Sequence, residues 1–139
     1  MKSLNNQKEG SMKTVIAILM TMLLGATVNA TQKANEKEVQ IGVSSAFVPG
    51  GFDSSSDAYV VVSGVFQNGC YRWNRAEVNN VDSFNHEIKT MATVTQGMCI
   101  MVLVPFQKDI ALGKLDTGKH SLKFVNSDGT FLEKTMTVE

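Results

Sequence analysis

From Val39 to Val138 the apolar residues follow a period of two almost everywhere and never settle into a sustained 3.6-residue stripe. Successive side chains of a strand point to opposite faces, so this period commits the chain to sheets with one covered face. The clearest stretch is 84–94. There Phe84, His86, Ile88, Thr90, Ala92 and Val94 share one face, and Asn85, Glu87, Lys89, Met91 and Thr93 share the other. Ala58–Phe66 is a β-branched run, apolar on both faces, and reads as a central strand. Cys99–Val104 reads the same way, with Pro105 ending its pairing or placing it at an edge. Turn signals fall between these runs: Pro49-Gly50-Gly51, Asn68-Gly69, Gln96-Gly97 and the hairpin signal Asn126-Ser127-Asp128-Gly129. The pattern predicts an all-β domain over 39–139, an antiparallel sandwich of seven or eight strands.

The 139 residues suit one domain, and 13 basic against 13 acidic residues leave no basic excess for nucleic acid. Residues 1–30 belong to another category. Lys13 precedes an apolar run from Val15 to Leu24, and Val28-Asn29-Ala30 forms a small-residue cleavage site, which is the pattern of a signal peptide. The run is shorter than the roughly 20 residues of a membrane span, so no span is expected after cleavage. Met12-Lys13 reads as a natural start, with residues 1–11 a misread start ahead of it. Thr31–Glu38, polar and charged, is expected to be a flexible tether. The mature chain keeps 10 basic and 12 acidic residues. It is expected outside the cytoplasm, in the periplasm or beyond.

Two cysteines, Cys70 and Cys99, survive the cleavage. An even count in an exported chain points to a disulfide, and no CxxC or well-spaced histidine suggests a reactive thiol instead.

The segment Leu115-Asp116-Thr117-Gly118-Lys119-His120-Ser121-Leu122, ahead of the closing hairpin, resembles the L-x-x-G-x-Y stretch of immunoglobulin-like and fibronectin-like domains. Asn68-Gly69-Cys70-Tyr71, Gly97-Met98-Cys99 and Leu112-Gly113-x-Leu115 look like exported bacterial sandwich modules of this broad type. The likeness covers most of 39–139 and implies immunoglobulin-like packing. In that family the tyrosine hydroxyl ties back to the preceding turn. Here the position is His120, and the cysteines lack the strand B-to-F spacing of antibody domains. The resemblance implies a scaffold and no activity.

Candidate chemistry is sparse. A nucleophilic site needs a base, and His86 and His120 both fall on apolar strand faces, with no G-x-S-x-G or H-E-x-x-H motif. The chain therefore reads as non-enzymatic and implies no cofactor. A copper site would draw on His86, His120 and a methionine such as Met91, Met98 or Met101. Met91 lies an odd number of residues from His86 and so faces the other way, and Met98 and Met101 read as core fillers. Asp53 and Asp57 offer calcium too few ligands. Tyr71, Arg72, Trp73 and Arg75 form a candidate partner-binding surface of hot-spot residue types. Alternation puts Tyr71, Trp73 and Arg75 on one face. The competing reading packs Trp73 and Tyr71 in the core with the arginines at the rim. The expected role is structural or protein-interacting, with another cell-envelope or extracellular protein as partner and periplasmic copper binding as the alternative.

Overall fold

Strand β5, Asn85–Thr95, carries the alternation read at 84–94, with His86, Ile88, Thr90 and Ala92 buried on one face. The computed structural model describes residues 35–139, so the expected signal peptide, 1–30, lies outside the described residues. The other strands are β1 Glu36–Ile41, β2 Ser45–Phe47, β3 Ala58–Phe66, β4 Tyr71–Asn80, β6 Val104–Gly113, β7 Gly118–Val125 and β8 Phe131–Val138. No helix occurs among the described residues.

The eight strands form two sheets, as an all-β sandwich requires. In the first, β4 runs antiparallel along one side of β5, from Asn80↔His86 to Tyr71↔Val94. The other side of β5 is shared. β7 lies parallel to Asn85–Lys89, and β1 lies antiparallel to Thr90–Thr95. β8 pairs with β7 beyond. The second sheet has the order β2-β3-β6, antiparallel throughout. The pair β5–β7 is thus the one parallel pairing among the described strands. Parallel neighbours need a long connection, and the chain makes it by crossing to the second sheet as β6 before returning.

The core fills the space between the sheets. Val60, Val62, Ile88, Ala92, Leu122, Phe124, Met136 and Val138 are almost wholly buried there. Gly64 faces Phe106 across the β3–β6 pair. A Cβ on Gly64 would lie 2.6 Å from the Phe106 ring, so the ring occupies the space a side chain would need. β6 pairs only with β3 and is an edge strand, which is where Pro105 can sit without breaking a ladder. The hairpin at Asn126–Gly129 forms as expected, with Gly129 at φ 85° and Asn126 N donating to Thr130 O at 2.8 Å. Asn126 also accepts from Val43 N at 3.0 Å, tying the hairpin to the corner after β1.

Several sequence expectations need correction. Glu36–Glu38 is the first half of β1, paired with Thr93–Thr95, and not tether. Ser45–Phe47, just ahead of the Pro49-Gly50-Gly51 turn signal, forms the short edge strand β2. Asp109–Leu112 belongs to the second half of β6. The largest difference concerns Cys99–Val104. Met98–Leu103 is an exposed loop, and β6 begins only at Val104. Met98 and Met101 therefore do not fill the core.

Candidate functional site

The residues singled out in the sequence collect at opposite ends of β5. At its first residues, His86 and His120 come together from β5 and β7, both buried. His86 Nε2 lies 2.9 Å from His120 Nδ1, and His120 Nε2 donates to the Asp116 carbonyl at 2.7 Å. This is the tie-back to the preceding turn that the resemblance assigns to a tyrosine hydroxyl. His86 Nδ1 sits 2.7 Å from Asn80 Oδ1. A carbonyl only accepts, so His120 carries its proton on Nε2 and accepts on Nδ1 from His86 Nε2–H. The Oδ1 of Asn80 suits a protonated Nδ1 on His86. The neutral ring takes the same seat with the amide turned over. Burial holds the His86 pKa below its ordinary 6.5, the neighbouring His120 adds to that, and Asp82 opposes it weakly.

The pair is a satisfied buried network. No buried side-chain nitrogen or oxygen lacks a partner among the described residues. The methionines invoked for copper do not join it. Met98 and Met101 sit past the far end of β5, about 30 Å along the strand, and Met91 faces outward, half-buried. Among the described residues no three His, Cys, Asp or Glu side chains are grouped as a metal ion requires. Asp53 is engaged locally. Its Oδ1 accepts from Ser55 N, Ser55 Oγ and Ser56 Oγ at 2.6–2.9 Å, which holds its pKa down at about 2.

At the other end of β5 the chain turns out into Gln96–Leu103. Cys70 and Cys99 are joined by a disulfide, with their Cα atoms 5.4 Å apart. Gly69 N donates to Ile100 O at 2.9 Å, and Thr95 N to Cys70 O at 3.1 Å. The bridge and the Ile100 bond tie the middle of the loop to the β3–β4 turn, and the Thr95 bond holds the end of β5 that leads into it. The apolar side chains of the loop stand clear. Met98, Ile100, Met101, Val102 and Leu103 are 52–104% exposed. Single exposed aliphatics are ordinary, but a contiguous group of this size on one loop is the kind of patch that marks a contact site.

Beside the loop an open groove of about 510 Å³ runs between β4 and β6, lined among others by Tyr71, Arg72, Trp73, Pro105 and Lys108. Phe66 stacks on Tyr71 at 6.0 Å and on Phe106 at 4.5 Å, and Trp73 packs on Phe106 at 5.7 Å. The two aromatics are thus half-buried against the core. Arg75 does not share their face. A bulge between Trp73 and Arg75 leaves Asn74 with no residue opposite it on β5 and shifts the alternation, so Ala76 and Val78 turn inward. Arg75 turns out and donates to Glu38 Oε1 at 2.8 Å, with Glu77 on its other side.

The family model of the ORF11 beta-sandwich domain matches residues 60–138, more than half of the chain. The chain belongs to the ORF11 beta-sandwich domain family. The match takes in almost all of β3, the whole of β4 to β8, and the apolar loop. In this ORF11-type sandwich, then, β1 and β2 are the strands outside the matched region. The curated proteins and the solved structures hold no match to the chain.

Proposed function

We propose that the chain is an exported, non-enzymatic interaction module of bacterial origin, with immunoglobulin-like packing, that makes its contact through the disulfide-anchored loop Gly97–Leu103. The observation that carries this reading is the display of five large apolar side chains on a loop held in place at Cys99 and Ile100. Apolar surface of this extent gains on the order of 25 cal/mol for each Å² removed from water. The anchoring lowers the ordering entropy that a free loop would lose on contact. The disulfide supports export, since such bonds persist in oxidising compartments. The histidines support a structural role, since every ring nitrogen already has a partner within the fold.

Co-sedimentation with a cell-envelope preparation tests the proposal. The native chain should sediment with the envelope, and the double variant Ile100→Asp, Leu103→Asp should remain in solution. Both positions are exposed, so the variant should melt where the native chain does, each change moving stability by less than about 0.5 kcal/mol. Equal sedimentation of the two proteins would sink the reading.

A further inference from the structure

We infer that His86 and His120 form an acid-operated latch, which holds the β4–β5 turn against the start of β7 and opens when the pair takes up a second proton. The joint that it spans is tightly packed. The Phe84 ring lies 5.1 Å from that of His120 between centroids, and a Cβ on Gly118 would come within 2.9 Å of it. Ser121 N donates to Phe84 O at 2.8 Å, at the head of the parallel pairing between β5 and β7.

The network has two protonation stages. The Asp116 carbonyl only accepts, so His120 Nε2 keeps its proton throughout. With both rings neutral, His86 Nε2–H donates to His120 Nδ1, and His86 Nδ1 accepts from the Asn80 amide in its turned-over orientation. One added proton goes to His86 Nδ1, where Asn80 Oδ1 accepts it at 2.7 Å. Every ring nitrogen still has a partner, and the latch stays closed. A second added proton sets His86 Nε2–H and His120 Nδ1–H against each other across 2.9 Å. Two donors on two cations then face each other with no acceptor between them, and the bond becomes a repulsion. The rings part, and the β4–β5 turn comes away from Gly118–Ser121.

The surroundings admit protons and offer no counter-charge to hold two of them. His86 lines an open cavity of about 290 Å³ with Asn80, Asp82, Ser83, Lys114 and Asp116, so the pair is reached from solvent without unfolding. The charged groups at this end are Asp82 of the β4–β5 turn, which favours a charged His86, and Lys114 and Asp116 of the β6–β7 connection. β8 presents Met136 opposite His120, and the buried side chains of β3 and β6 are all apolar. Among the described residues the ion pairs are Arg75 with Glu38 and Glu77, and Lys89 with Glu87; no carboxylate pairs with either histidine ring.

Hydrogen exchange of the full chain, followed amide by amide from about pH 8 to pH 4, tests this above the range of the depressed carboxylates. With the intrinsic rate divided out, the opening constant at Ser121 should rise about ten-fold per pH unit once one proton is bound, since each opening then takes up one more. At acid pH this opening should be more frequent than that of the β3–β6 amides and insensitive to urea, the mark of a local event. His86→Gln should abolish the rise, because an amide can turn over to meet His120 Nδ1 whether that atom accepts or donates. Ring-nitrogen chemical shifts should show at most one charge on the pair while Ser121 remains protected. A pH-independent constant in the native protein, the same slope in His86→Gln, or equal opening at Ser121 and across the β3–β6 pair would each overturn the proposal.

Discussion

His86 shows how far one residue could be read. Its place on the covered face of β5 follows from the alternation, and so does the absence of Met91 from that face. Its partner does not follow. His120 is 34 positions away and reaches His86 only because β7 runs parallel to β5, a pairing no local pattern announces. The contact has a consequence for pH. A base whose folded pKa lies below its unfolded value favours the fold when neutral, so its contribution is complete above the unfolded pKa of about 6.5. It is lost as pH falls below 6.5 toward the lower folded value. The depressed carboxylates Asp53, Asp82 and Asp128 act in a separate window, below their ordinary 3.8. Urea unfolding should therefore show stability falling as the pH drops below about 6.5, and His86→Gln should flatten that decline while lowering stability throughout. An unchanged slope in the variant would assign the titration to another group.

Among the elements, the segment from Gly97 to Val104 was the least legible. An aliphatic run bounded by glycine and proline reads as a buried strand because burial is where such side chains usually go. The chain instead spends this run on a loop and starts the edge strand at Val104, and only the surrounding structure reveals it. β4 was read to its bulge and no further, because one unpaired residue, Asn74, reverses every face after it. That the two cysteines bond was readable from their number; that the bond anchors the displayed loop was not. The bridge closes a loop of sequence separation 29, and the chain-entropy model gives it about 3–4 kcal/mol. Cys70→Ser with Cys99→Ser should lose about that much in urea unfolding. It should also speed hydrogen exchange at 97–103 well beyond that in β5. A double variant as stable as the native chain would show that β4, β5 and β6 hold the region without the bridge.

For the whole molecule, two sheets and one core were legible from period and turn spacing, while the division of one edge of β5 between β1 and β7 was not. That edge draws on residues 36–41 and 118–125, and the core draws heavily on Leu122, Phe124, Met136 and Val138. A chain ending at Gly113 should accordingly show no cooperative unfolding transition, although it retains six of the eight strands. A clear transition in that fragment would place the stabilising core in the first six strands. The shared edge also sets a clock. While the ribosome still holds residues beyond 113, the central strand lacks one of its neighbours, and no partial product is worth forming. Contacts this distant in sequence make for slow closure. For the exported chain proposed above, the fold defers itself, leaving the nascent protein threadable through a translocation channel until its last hairpin has been made.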